Sequence, residues 1–455
     1  MATVGPRTHG RGPGYAEAAP IYNGGTFYIG QLLSVARGAE LDVPLRCMIK
    51  GNDLSTALCH GCGPMAYPVP IQTLAAVSNS QRRARCIEHG CALAPPAWKC
   101  PATSSESTLH QLAPYIGKLK STIARDLIDQ YSKPKNLIVD PFSGSGTIPL
   151  EALLAGRRVI ASDVSSYAAT LTQAKLAAPP TLGDALATAE RLLSTADASQ
   201  TVDLRRVPEW VRQYFHPKTL KAAIAFARTC RAEKNHFLMA CLLGILHHQR
   251  PGFLSYPSSH LVPYLRDRKY PRRQFPEMYA YRALRPRLVA KVHRAFRRRQ
   301  LTDAEGIFRQ VSVEDIRLSE CFDAMITSPP YMNALDYSRD NRLRLWFLEE
   351  RSQFESNDNN NGRAKGFIRL MIAIARLNER YLVRGGHCVL VVGESVSRRQ
   401  TVHPAQHVVD AFAAHAPSLV LETVITDSIP DIRRARRDYR GVKTEQILVF
   451  RNRQT

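Results

Sequence analysis

The chain predicts a doubly wound α/β sheet split by a helical insert, and two observations carry that prediction. An apolar run at 136–139 enters a glycine-rich turn at 140–147, a helical pattern covers 148–155 up to Gly156, and a second apolar run at 158–161 ends at Ser162-Asp163. Strand, glycine turn, helix, strand and acid, in that order, open a parallel sheet with helices on its faces. The alternation then returns after residue 305, with apolar runs at 308–313, 322–327, 387–392, 419–425 and 446–450 and a helix over 364–383.

The remaining segments follow from local chemistry. Residues 1–20 are rich in Gly and Pro and predict a disordered leader; 21–107 are irregular and hold a cysteine cluster. The pattern at 121–131 is helical and stops at Lys133-Pro134, because proline cannot continue a helix. Between 180 and 305 apolar periodicity at 219–230 and 236–247 predicts helices, followed by a Pro/Tyr-rich passage at 251–281 and a basic helix at 282–300. The Asn/Asp run at 357–361 reads as a mobile loop. Four parts result: a Cys-rich extension at 1–107, the first part of the sheet at 108–178, a helical basic insert at 179–305, and the rest of the sheet at 306–455.

Composition narrows the function classes. The 455 residues hold 62 Lys and Arg against 39 Asp and Glu, a formal charge of +23, which concentrates polyanions near the surface. No run of 18 uncharged apolar residues exists and the N-terminus lacks a signal-peptide core, so a cytosolic, nucleoid-associated protein is expected. Six of the ten cysteines fall between Cys47 and Cys100. Cys59-x-x-Cys62 with Cys86 and Cys91 has the makings of a four-thiolate zinc site, with His89 or Cys100 as substitutes. His247-His248 reads as a helix-face pair.

Three motifs carry chemistry. Asp140-Pro141-Phe142-Ser143-Gly144-Ser145-Gly146-Thr147 sits where a strand meets a helix, and glycine there lets backbone approach a ligand without a Cβ in the way. Asp163, at the end of the next strand, stands where a carboxylate can hold ribose hydroxyls. Ser328-Pro329-Pro330-Tyr331 follows another strand; the two prolines fix φ and remove backbone donors, leaving aimed carbonyls beside a hydroxyl and an aromatic face. Such a site suits an amino group on a flat ring.

The pair of DPFSGSGT and SPPY resembles the signature of the amino-methyltransferases, which make N4-methylcytosine and N6-methyladenine in DNA. Tyr115-Ile116-Gly117-Lys118 with Ala124-Arg125 is similar to the segment that family sets against the methionine end of the cofactor. The stretch 327–337, opening on serine, resembles the N4-cytosine members in particular, and 385–393 and 445–451 resemble the closing strands. The resemblance covers about 110–178 and 306–452. It implies a class I S-adenosylmethionine-dependent methyltransferase of Rossmann-like fold. Phe142, Gly144, Gly146 and Thr147 would line the cofactor, Asp140, Tyr115 and Lys118 would lie toward its amino-acid end, Asp163 would hold the ribose and Asp315 the adenine amino group. Ser328, Pro329, Pro330 and Tyr331 would be catalytic, acting on a base flipped out of double-stranded DNA.

The order of cofactor motif, long insert and SPPY resembles the arrangement in which target recognition lies in the insert. Between Arg266 and Arg299 stand 13 Lys and Arg against two acids, with Tyr264, Tyr270, Tyr279 and Tyr281 interleaved. Arg266, Arg268, Lys269, Arg272, Arg273, Arg297 and Arg298 are the expected phosphate contacts; Arg433, Arg434, Arg436 and Arg437 form a second basic run. Site-specific DNA cytosine-N4 methylation, with a cognate restriction nuclease as partner, is the favoured reading. An adenine-N6 or RNA base amino-methyltransferase, or a DNA-binding protein with an inactive methyltransferase fold, are the alternatives.

Overall fold

The structure is a computed structural model describing residues 91–99, 106–199, 202–247, 252–255, 270–331, 337–351, 360–396, 401–402, 404–429 and 444–453. The leader at 1–20 and the basic run at 433–437 lie outside the described residues. The chain forms β1 (Cys91–Leu93), α1 (Ser121–Tyr131), β2 (Leu137–Asp140), α2 (Thr147–Leu154), β3 (Arg158–Ser162) and α3 (Ser166–Leu176). The insert contributes α4 (Leu182–Ser199), α5 (Glu209–Arg212), α6 (Pro217–Ala232), α7 (His236–Ile245) and α8 (Leu284–Phe296). There follow β4 (Gly306–Arg309), β5 (Phe322–Thr327), α9 (Tyr337–Glu349), α10 (Asn360–Tyr381) and β6 (Leu382–Gly393). A small ribbon, β7 (Ser395–Val396) with β8 (Thr401–Val402), precedes α11 (Pro404–His415), β9 (Leu419–Ser428) and β10 (Thr444–Asn452).

Eight strands make one sheet in the order β1-β9-β10-β6-β5-β2-β3-β4. β10 is antiparallel to both neighbours and every other pairing is parallel. A parallel sheet with one reversed strand near its far edge is the class I methyltransferase topology. From β2 the chain winds outward to β3 and β4, then returns to lay β5 on the other side of β2. The order reverses between β2 and β5, and ligands of open α/β sheets bind at that switch, beyond the carboxyl ends of the strands.

β2 is buried along its whole length, which is why it reads as a continuous apolar run rather than an alternating one. Its period of two still sorts side chains: Leu137 and Val139 pack with α10 and α11 through Phe367, Met371 and Val408, whereas Ile138 meets Ile123 and Leu127 of α1 and Ile148 of α2. α1 presents Ile123, Ala124, Leu127 and Ile128 as one buried stripe. The Asn/Asp run at 357–361, expected as loop, enters α10 from Asn360 onward.

The insert does not stand apart. Leu192, Phe226, Leu242 and Leu288 of its helices share one core with Leu109, Tyr167 and Leu171, and with Trp346 of α9. Buried polar groups fasten the same region. The Glu151 carboxylate on α2 meets His110 Nε2 at 2.7 Å and accepts from Arg125 Nε at 3.0 Å. Lys118 donates to the His110 carbonyl at 3.0 Å and Lys291 of α8 to the Gln111 carbonyl at 2.6 Å. Burial lowers the His110 imidazole to about 4, so it is neutral at physiological pH. Replacing Glu151 by Ala strips two partners of their acceptor; a loss of about 3 kcal/mol is expected in urea unfolding.

Candidate active site

The site begins with the register of three strands. Asp140 of β2 pairs with Ala161 of β3, and Val139 with Met325 of β5, so Asp140, Ser162 and Thr327 end at one edge of the sheet. Across the switch point the Thr327 hydroxyl donates to Asp140 Oδ1 at 2.6 Å, and the Phe142 amide adds a 3.2 Å bond to the same oxygen. Among the described residues Asp140 Oδ2 is buried without a hydrogen-bond partner. Desolvation raises this carboxyl to about 7, against the pull of both hydrogen bonds and with the help of Asp163 nearby.

The glycine turn wraps around that acid. Gly144 has φ +50°, and a Cβ there would meet the Tyr115 ring at 3.3 Å. Tyr115 itself stacks on Tyr167, centroids 5.7 Å apart. The turn is held from below by Lys175, whose Nζ donates to the Ser145 carbonyl at 2.5 Å, and by Ser143 Oγ against Thr172 Oγ1 at 3.1 Å. Full burial pushes the Lys175 amine well below its usual range. Asp163 closes the turn, accepting from the Gly144 amide at 3.0 Å and the Ser165 amide at 2.9 Å. Burial raises its carboxyl as well.

The proline corner opens into the same space. Ser328 and Pro330 line a cavity of about 430 Å³ together with Tyr115, Lys118, Asp140, Phe142, Gly144, Thr147 and Asp163. A volume of that order takes a nucleoside-sized ligand. Ser328 Oγ points its proton at the Val391 carbonyl across a long 3.4 Å contact. Tyr331 donates from its hydroxyl to Glu445 Oε1 at 2.5 Å. Pro329 is buried, and neither it nor Tyr331 is part of the lining.

Two expected cofactor residues stand elsewhere. Gly146 lies outside the lining; its Cβ would come within 2.9 Å of the Thr172 Cα, so glycine there serves the packing of the turn on α3. Asp315 is exposed and outside the cavity. The cause is local: Ser312 caps a single 3-10 turn at Val313–Asp315, which leaves Val311, Ser312 and Val313 facing the cavity and turns the acid away. Sequence reasoning missed Ser166, Leu345 and Glu349, which also line the cavity. Only Ser166 carries a signal, its place three residues after Asp163; the two α9 residues carry none.

The basic stretch divides in two. Arg272, Arg273, Arg297 and Arg298 are exposed, with the Arg272 guanidinium 4.7 Å from the Tyr279 ring centroid. Arg285 is bonded to Glu190 and Asp197, Arg287 to the Ala283 carbonyl, and Arg299 to the Pro179, Pro180 and Ala178 carbonyls. These, with Lys291, hold the insert together. Arg266, Arg268 and Lys269 lie outside the described residues, as do Cys59, Cys62 and Cys86; of Cys91 only the backbone, in β1, is described. Among the described residues no group of three or more His, Cys, Asp or Glu could hold a metal ion. No described helix is long and apolar enough to cross a membrane.

The donor set fits S-adenosylmethionine. A buried, unpartnered Asp140 oxygen suits a cationic group, Lys118 a carboxylate, and Gly144 lets the turn line the cavity with Tyr115 close against it. The sheet order is that of the class I methyltransferase fold, and the donor set of the site is compatible with S-adenosylmethionine. Residues 97–174 match the family model described as DNA methylase, the N6/N4 amino-methyltransferases. Among curated proteins none matches the chain. Solved structures with a similar fold include TrmN from Thermus thermophilus, at 12% identity and TM-score 0.29 over 76% of this chain; the chain spans about half of TrmN, 52%. The rRNA methyltransferase aviRa from Streptomyces viridochromogenes is 15% identical, TM-score 0.29, over 77% of this chain and 91% of its own. A Methanosarcina mazei S-adenosylmethionine-dependent methyltransferase gives 11%, 0.31, 72% and 96%.

The raised Asp140 carboxyl has a stability consequence. Its folded value, about 7, exceeds the model-peptide value of 3.8, so the folded state holds the proton more tightly. The stabilisation is complete below about 4 and is lost as pH climbs through about 7. Asp140→Asn removes this dependence. The gap in melting temperature, variant minus wild type, is expected to widen from pH 5 to pH 8 by differential scanning calorimetry.

Proposed function

We propose that the chain methylates the exocyclic amino group of a base in DNA, cytosine N4, by direct transfer from S-adenosylmethionine. One observation carries the reading: the Ser328-Pro330 corner and the glycine turn line a single cavity, with Thr327 and Asp140 bonded between them. Had the two motifs faced opposite sides of the sheet, no such transfer could be drawn. The match of residues 97–174 to a DNA methylase family, and a serine at the head of the tetrapeptide, support the choice of substrate.

When bound, S-adenosylmethionine supplies an electrophilic methyl group; Tyr115, Lys118, Asp140, Phe142, Gly144, Thr147 and Asp163 would hold it. The work of the chain lies with the amine. Its lone pair is delocalised into the ring and attacks poorly. Ser328 gives its own proton to Val391, so its hydroxyl lone pairs face outward as acceptors for an N–H. The Pro329 carbonyl, next in the chain to the lining though not part of it, would be the second acceptor, fixed because Pro330 locks the peptide that follows. Two acceptors draw the nitrogen toward a pyramidal shape and stabilise the positive charge that develops on it. Tyr331, anchored through its hydroxyl to Glu445 and outside the cavity lining, would offer its ring face to a base extruded toward the corner. The exposed Arg272, Arg273, Arg297 and Arg298 supply contacts for the phosphate backbone.

Mass spectrometry of nucleosides from DNA and RNA of cells expressing the protein tests the reading. N4-methylcytosine is expected in DNA, with turnover by Ser328→Ala reduced about 100-fold. N6-methyladenine, or a modified base confined to RNA, would reassign the substrate. Wild-type levels of product from Ser328→Ala would remove the corner from the mechanism. Cofactor affinity has a pH test too: a cationic ligand favours ionised Asp140, so affinity measured by calorimetry falls about tenfold per unit below pH 7, and less steeply in Asp140→Asn.

A further inference from the structure

Helix α9 contributes Leu345 and Glu349 to the cavity lining, and Glu349, at its last turn, is the polar group. Three features mark this carboxylate. Ser166 donates its hydroxyl proton to Glu349 Oε1, bringing together two residues 183 positions apart at the cavity face. Among the described residues Glu349 forms no ion pair, while its neighbour Glu350 binds Arg228 at 2.7 Å and also binds Arg231. Arg231 further donates to the Phe347 carbonyl at 3.0 Å and the Leu348 carbonyl at 3.1 Å. Those bonds cap the helix end and fix where Glu349 stands.

Of the two acids expected at the adenosine end, Asp315 is exposed and outside the cavity. Asp163 lines the cavity and accepts one amide on each oxygen, from Gly144 and Ser165, which leaves a lone pair on each for a ligand. Ser166, at the start of α3, continues the polar lining to Glu349. A serine that donates to a carboxylate keeps its lone pairs for accepting, so the pair presents a charged acceptor beside a neutral one. Two adjacent acceptors match two adjacent hydroxyl donors, and a charge-assisted bond is the stronger of the two.

We propose that Glu349, with Ser166, is a cofactor-binding site for the 2′,3′-diol of the ribose, so that this chain draws part of its adenosine recognition from α9. The inference rests on the reading of the cavity as an S-adenosylmethionine site.

Calorimetric titration of the full chain with S-adenosylhomocysteine and with its 2′,3′-dideoxy analogue tests it. Wild type is expected to prefer the diol by at least about tenfold. Glu349→Gln is expected to lose most of that preference while binding the dideoxy analogue as wild type does; Ser166→Ala loses a smaller part, and serves if the first variant does not fold. Asp315→Asn keeps the preference intact. A Glu349→Gln protein that retains the preference, or one that weakens both ligands equally, overturns the assignment and leaves the cofactor reading standing. Wild type that binds neither ligand overturns the cofactor reading, and this inference with it.

Discussion

One hydrogen bond organises the site. Thr327 closes β5 and Asp140 closes β2, and their 2.6 Å contact bridges the point where the strand order reverses. On one side of it the chain turns into the glycine loop; on the other it turns into the proline corner. The bond therefore holds together a glycine loop and a proline corner that are nearly two hundred residues apart in sequence. It also leaves the carboxylate half satisfied, with Oδ2 buried and unpartnered among the described residues. An acid kept this dry holds a proton near neutrality when nothing answers it, and ionises when a cation does.

Around that bond the structure spends polar groups where an apolar core would be simpler. His110, Glu151 and Arg125 tie α1 and α2 to the segment carrying Tyr115 and Lys118, Lys175 ties α3 to the glycine turn, and Lys291 brings in the insert. Buried polar networks of this kind contribute less to stability than to a unique arrangement. The arrangement at stake here is the position of Tyr115 against Gly144, which determines the shape of the cradle. The insert is thus part of the scaffold of the cofactor half, through a core that runs from Leu109 to Trp346.

Much of this was legible in the residues. Apolar runs ended by a glycine turn or a polar loop located β2, β3 and β5 to within a residue or two, because strands buried on both faces keep their polar side chains to their ends. DPFSGSGT and SPPY were legible as chemistry because glycine and proline restrict the backbone in ways few other roles require. What failed was whatever depends on direction. Asp315 has the right type and nearly the right place, but a serine-capped turn points it outward. The arginines of the insert looked alike, and only tertiary contacts separate Arg285 and Arg299, consumed internally, from Arg297 and Arg298 at the surface. Glu349 had no signal at all: an acid in the last turn of a helix is ordinary until Ser166 is folded against it.

The electrostatics of the whole and of the site have opposite sign, and that contrast bears on the substrate. A formal charge of +23 draws a polyanion to the surface from any direction. The cavity, however, is lined by Asp140, Asp163 and Glu349 against the single lysine Lys118. Phosphate is attracted outside and finds only Lys118 as a cation inside, so a nucleic acid's backbone is held at the surface. A cytosine ring carries no charge and suffers no such exclusion. For the proposed reaction, the field separates the base from its phosphates, in the direction that extrusion requires: backbone retained on exposed arginines, ring delivered to Ser328.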